Sequence, residues 1–271
     1  MKSQASTVIL NEIRSLVPSS DTYLNTMLIL LSLWHLNNEK SGSPKQLFQD
    51  FSEIINSEKR INESLKNGIL NKLDKIEQKV FSDESKIDTY SEIASLEKER
   101  FKHLIRMAVN ESNDSVTSNF STSYNLCNLI TKTVEPGYNS IMAPFLGTGK
   151  LIVELHDQKI IDRNTAYVYG IEKEFKIACT AYINFVINGF KSFFIEHGNF
   201  SKSDTNGKSF DLIITDPSIR VKRKKTDENI NVKQKYRWTY ELLRKSLSKL
   251  SKDGVFIMTA DNDAFEMLFE C

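Results

Sequence analysis

Residues 140–150 read SIMAPFLGTGK, and residues 209–219 read SFDLIITDPSI. The first stretch opens on a short apolar run, turns through Gly147 and Gly149, and enters an amphipathic segment at Lys150. Glycine at those two positions lets the backbone turn sharply and approach a ligand closely, and the amides that open the next helix are free donors. A phosphate-cradling P-loop needs glycine where Pro144 stands and serine or threonine where Leu151 stands, so that reading fails twice. A plain tight turn between strand and helix accounts for Gly-Thr-Gly equally well. The second stretch reads as a buried strand that delivers Asp216-Pro217 to its carboxyl end, where open α/β sheets place their ligands.

Working outward, short apolar runs at 140–143, 167–171, 193–195, 212–215 and 255–259 read as strands. Helix-like segments at 150–158, 175–188 and 235–250 lie between them, and a further helix at 123–133 precedes them, ending at Pro136-Gly137. Strand–helix alternation at this spacing predicts a parallel sheet with crossover helices. Glu172 directly follows the second strand, where an acidic side chain can accept both hydroxyls of a ribose. A solvated glutamate in the run Glu-Lys-Glu is the alternative. Arg220, Lys222, Arg223, Lys224 and Lys225 follow Asp216 almost at once, a cluster suited to phosphate-backbone contacts, with a solvated basic loop as the alternative.

The N-terminal part has another texture. Eight of the ten glycines lie at or after Gly137, and only Gly42 and Gly68 precede it. Residues 1–119 carry 15 basic and 17 acidic side chains, against 21 and 18 in residues 120–271. Phe48, Phe51, Ile54, Ile55, Ile61, Leu65, Ile69, Leu73, Ile76 and Val80 recur at mostly three- and four-residue steps, the apolar face of amphipathic helices. A further helix is expected over 91–109. The polar, turn-forming stretch 110–119 (NESNDSVTSN) marks the boundary between a helical domain, 1–118, and an α/β domain, 119–271.

Composition narrows the function classes. With 40% hydrophobic and 26% charged residues the chain of 271 residues is an ordinary globular one, and disorder throughout is excluded. The formal charge of +1 provides no global field for a polyanion. Three cysteines, Cys127, Cys179 and Cys271, show no C-x-x-C spacing, so neither a disulfide framework nor a metal site is expected, and a reducing, cytoplasmic setting is. The apolar stretch 27–36 (MLILLSLWHL) falls short of the ~20 residues of a membrane span and reads as a buried helix.

In order, these segments resemble an amino-group DNA methyltransferase, and specifically the modification (M) subunit of type I restriction–modification systems. Phe120-Ser-Thr-Ser-Tyr-Asn-Leu-Cys-Asn-Leu-Ile130 is similar to that family's F-Y-T-P opening, with Ser123 in place of the proline. Residues 143–149 are similar to D-P-A-C-G-S-G, residues 170–174 to the G-x-E segment, and Phe210 to Ile219 to F-D-x-x-x-x-N-P-P-F. The helix ending in Asn188-Gly189 resembles N-L-x-x-x-G, and His197-Gly-Asn199 stands where the family has G-D.

The resemblance implies a Rossmann-like S-adenosylmethionine-dependent methyltransferase domain behind an all-helical N-terminal domain. It further implies adenine-N6 methylation of DNA within a complex containing specificity and restriction subunits. It assigns Phe120, Thr122, Ala143, Pro144, Gly147, Gly149, Glu172, Asn199 and Asp216 to S-adenosylmethionine, and Asp216, Pro217, Ser218 and Ile219 to catalysis. The basic residues Arg220 and Lys222 to Lys225 are expected on DNA. The sequence departs from the pattern at Ala143, which replaces an acidic residue, at Asn199, and at Asp-Pro-Ser-Ile, where the family has (N/D)-P-P-(Y/F). A catalytically impaired homologue acting as a cofactor-binding or assembly subunit is therefore the alternative. Five strands are legible where the family's sheet has two more, so the methyltransferase domain is expected to be incomplete at its C-terminus.

Overall fold

The computed structural model describes residues 2–19, 21–36, 43–112, 122–205, 207–217 and 232–259. Six helices come first: α1 (Lys2–Leu16), α2 (Thr22–Leu36), α3 (Pro44–Ser57), α4 (Glu63–Val80), α5 (Glu84–Ala94) and α6 (Lys98–Ser112). Then follow α7 (Tyr124–Thr133), β1 (Ser140–Ala143), α8 (Lys150–Asp157), β2 (Tyr167–Glu172), α9 (Phe175–Ile187), β3 (Ser192–His197), β4 (Phe210–Thr215), α10 (Val232–Leu247) and β5 (Leu250–Met258). The expected domain boundary at 110–119 falls largely outside the described residues.

The caps explain several boundaries. Ser43, Asn62, Asp83 and Ser123 each accept a hydrogen bond from a backbone amide of the first turn, opening α3, α4, α5 and α7. α2 is buried nearly all round, as its apolar sequence foretells. Two expectations need correction. The helix expected over 91–109 is broken at Ser95, whose amide closes the end of α5, and α6 starts only at Lys98. Ile61 continues the helical spacing in sequence yet lies between helices, in a parallel bridge to Ile195 of β3.

The five strands form one parallel sheet in the order β3-β2-β1-β4-β5. β1 lies between β2 and β4, so the chain reverses its direction of travel across the sheet there, the switch point at whose carboxyl ends open α/β sheets bind ligands. Strand residues alternate between two layers. Ile141, Val168, Phe193, Ile195, Leu212 and Ile214 join a core that includes α8, α9 and the N-terminal helices. Met142, Tyr169, Ile171 and Ile213 face a smaller core with Leu242 of α10. The first core runs without interruption from Leu10 to Ile214.

A short segment joins the helical region to the sheet edge. The Ile195 amide donates to the Arg60 carbonyl (2.8 Å), and the Asn62 amide donates to the Ile195 carbonyl (3.2 Å). Glu58 accepts from Arg60 through both carboxylate oxygens and from the Tyr182 hydroxyl of α9 at 3.0 Å. The Arg60 guanidinium lies 4.8 Å from the centre of the Phe193 ring. Burial pushes the Glu58 carboxyl up, but the Arg60 hydrogen bonds and charge outweigh it and hold the group below its ordinary value.

Candidate functional site

β1 ends at buried Ala143 and passes through buried Pro144 into the glycine loop. Within the loop the Leu146 amide donates to the Ile171 carbonyl (2.9 Å), tying it to β2, and the Gly149 amide donates to the Leu146 carbonyl (3.1 Å). Gly147 (φ 58°) and Gly149 (φ 75°) occupy the left-handed region, where other L residues are strained. Gly149 is also the residue before α8, and a Cβ there would lie 2.8 Å from the Phe185 ring. Leu146 packs so closely on β2 that a Cβ at Gly170 would meet it at 2.5 Å.

Glu172 is the last residue of β2 and only 8% exposed. One carboxylate oxygen accepts from the Gly147 amide at 3.0 Å, and the other accepts from the Glu174 amide at 2.9 Å. Burial pushes its carboxyl above the ordinary value, and the amides of Glu174, Gly147 and Lys173 offset part of that rise. The sequence singled out both Glu172 and the glycines, but not that the carboxylate latches the loop.

Asp216 stands one residue beyond β4, partly buried, and Pro217 after it is buried. The Thr259 hydroxyl donates to Asp216 Oδ1, and the Thr259 amide donates to the Thr215 carbonyl at 3.1 Å. Thr259 was not singled out by the sequence; no motif marks it, and only the β4–β5 register brings it to Asp216. The loop of Asn199 follows β3, and the Asn199 carboxamide oxygen accepts from the Ser201 amide and hydroxyl, both at 3.0 Å. Thr122 precedes α7, its carbonyl facing the Cys127 thiol at 3.7 Å.

That thiol is pushed up to about 11, chiefly by burial, with Lys150 lowering it and Glu154 and Asp216 raising it. At neutral pH it is protonated and no nucleophile. Phe120, Ser218, Ile219, Arg220 and Lys222 to Lys225 lie outside the described residues. Glu172, Asp216 and the glycine loop thus come from the carboxyl ends of β2, β4 and β1, three adjacent strands of the sheet.

Among solved structures, the chain is similar to the type I restriction–modification methyltransferase subunit from Streptococcus thermophilus. The TM-score is 0.61 at 13% identity, covering 98% of this chain and 78% of that one. A modification subunit of a type I restriction enzyme from Vibrio vulnificus YJ016 superposes at 0.59 with 12% identity, covering 98% and 74%. The fold is that of the type I modification subunits. A chain from a structure of type I restriction–modification complex assembly is similar too, at 0.59 and 12% identity, over 92% of this chain and 61% of that one. No protein-family profile and no curated protein matches the sequence. The shared architecture takes in the helical region as well as the sheet, since the first two alignments cover 98% of the chain.

Among the described residues no group of three or more His, Cys, Asp or Glu side chains could hold a metal ion, and no helix is long and apolar enough to cross a membrane.

Proposed function

We propose that this chain is an S-adenosylmethionine-dependent methyltransferase subunit acting on the exocyclic N6 amine of adenine in DNA, within a restriction–modification assembly of specificity and restriction subunits. The observation that carries the reading is the latch between buried Glu172 and Gly147 at the carboxyl ends of β1 and β2. A carboxylate has about four acceptor positions, and the amides of Gly147, Glu174 and Lys173 occupy three of them, which leaves a position for a ribose hydroxyl. The residues present therefore fit the cofactor's ribose, and the bare backbone at Gly147 fits a close approach of its methionine end.

S-adenosylmethionine, when bound, supplies an electrophilic methyl group on a sulfonium. Asp216 is the residue suited to hold the incoming amine. Thr259 engages its Oδ1, which leaves Oδ2 to accept an N–H and so aim the nitrogen lone pair at the methyl. The Pro217 carbonyl supplies a second acceptor. On methyl transfer the sulfur–methyl bond of the cofactor would break to leave a neutral thioether, and the Asp216 carboxylate or water would take up the proton that the amine loses. The base must leave the duplex to reach such a site. The basic run from Arg220 to Lys225 would hold the DNA backbone.

Calorimetric titration with S-adenosylmethionine and S-adenosylhomocysteine tests the reading. Micromolar binding, about −8 kcal/mol, that Glu172→Ala abolishes is the expected result. Labelled methyl transfer to duplex DNA, RNA and mixed protein then identifies the acceptor. No heat at millimolar ligand removes the enzyme reading. Binding without transfer leaves the cofactor-binding or assembly subunit, which the Ser218 and Ile219 departures favour.

A further inference from the structure

We propose that Asn62, at the head of α4 in the helical region, is a positioning residue for the cofactor crevice: its carboxamide holds the end of β3 in register, and through Glu172 it sets the glycine loop. This rests on the cofactor reading above. The backbone of Arg60–Asn62 pairs with β3 only as far as Ile195. Beyond that point the Asn62 side chain takes over. Its Oδ1 accepts from the His197 amide and its Nδ2 donates to the His197 carbonyl, both at 3.1 Å. A primary amide offers the same donor and acceptor as a peptide group, so it extends the edge pairing where the main chain has turned into a helix.

The same oxygen accepts from the Leu65 amide at 3.2 Å and caps α4. The His197 ring is held too, with Nδ1 at 2.9 Å from the Ser64 hydroxyl and the ring edge-on to Phe175. His197 pairs with Glu172 across the sheet, and the following Gly198 amide donates to the Glu172 carbonyl at 2.9 Å. Glu172 in turn holds the Gly147 amide. Every link from Asn62 to the loop is thus a hydrogen bond or a covalent neighbour. A strand end paired on one side only is among the first places a fold opens, so removing the outer partner loosens Glu172 from its backbone side.

Asn62→Ser separates this role from helix capping. Serine caps α4 as well as asparagine does but is too short to span His197. Amide hydrogen exchange of the ligand-free protein should accelerate at 145–149 and 172–174 as well as at 195–198, while α4 keeps its protection. S-adenosylhomocysteine should bind about 5- to 10-fold more weakly, with little change in melting temperature. Asn62→Asp keeps both acceptor bonds but turns a carboxylate oxygen toward the His197 carbonyl, so it should loosen the relay at least as much as serine does, and it serves as second variant should the serine protein fold poorly. Unchanged exchange at 145–149 in both variants overturns the relay. If the parent protein binds no S-adenosylhomocysteine, the cofactor reading fails, and the ligand-free exchange still decides whether the relay exists.

Discussion

Glu172 sets the behaviour expected at the scale of single residues. Its carboxyl lies above the ordinary value because it is buried, and only the ionised form offers acceptors on both oxygens. Cofactor affinity should therefore decline on acidification, beginning above the usual carboxylate range, and Glu172→Gln should bind about 10- to 100-fold more weakly near neutral pH with a flatter profile. Titrations from pH 7 to 5 on both proteins check this. His35 answers to acid differently. Burial among apolar neighbours drives it down to about 4, and its Nε2 has no hydrogen-bond partner. The unfolded chain takes up that proton near 6.5, so the His35 contribution is constant above that pH and stability falls between 6.5 and 4, by on the order of 3 kcal/mol. Denaturant titrations should show the loss, and His35→Phe should remove it. At the acceptor end, Ser218→Pro with Ile219→Phe restores an aromatic surface whose stacking is worth roughly 1–3 kcal/mol per base. DNA methylation measured with labelled cofactor should rise by about 10- to 100-fold.

Among the elements, α4 shows how sequence can mislead. Gly68 sits inside that helix, where glycine costs about 1 kcal/mol relative to alanine. A Cβ there would lie 2.2 Å from the Phe175 ring at the head of α9, so the glycine permits a close helix crossing. Gly68→Ala should destabilise by about 1–3 kcal/mol despite the better propensity, read as a lower denaturation midpoint. The strands were legible because buried parallel strands are nearly continuous apolar runs, as at 210–215 and 167–172. The edge segment was not. Ile61 lies seven residues after Ile54 and four before Leu65, in helical phase with both, and no glycine or proline interrupts the run. What ends α3 is Glu58 bonding the Arg60 amide and guanidinium, a side-chain event that periodicity cannot register. The break at Ser95 is likewise free of glycine and proline. The loop of the candidate site and its Glu172 stand out in the sequence, while the bonds from Asn62 to His197 and from Thr259 to Asp216 do not, because the partners are distant in sequence: 135 residues separate Asn62 from His197, and 43 separate Asp216 from Thr259.

The whole molecule joins its helical and α/β parts through one hydrophobic core and a partly buried polar knot at Glu58, Arg60 and Tyr182. Unfolding should therefore follow a single cooperative transition, with calorimetric and van't Hoff enthalpies in agreement; two separated peaks would refute this. The contact between Ile61 and Ile195 also has a meaning in time. A ribosome adding 5–20 residues per second needs roughly 7–27 s to travel from one to the other. Through that interval the nascent helical bundle has emerged with Arg60 and Ile61 still lacking the strand they will line, and with Glu58 lacking Tyr182. The N-terminal half is thus born with one side uncovered until the third strand arrives.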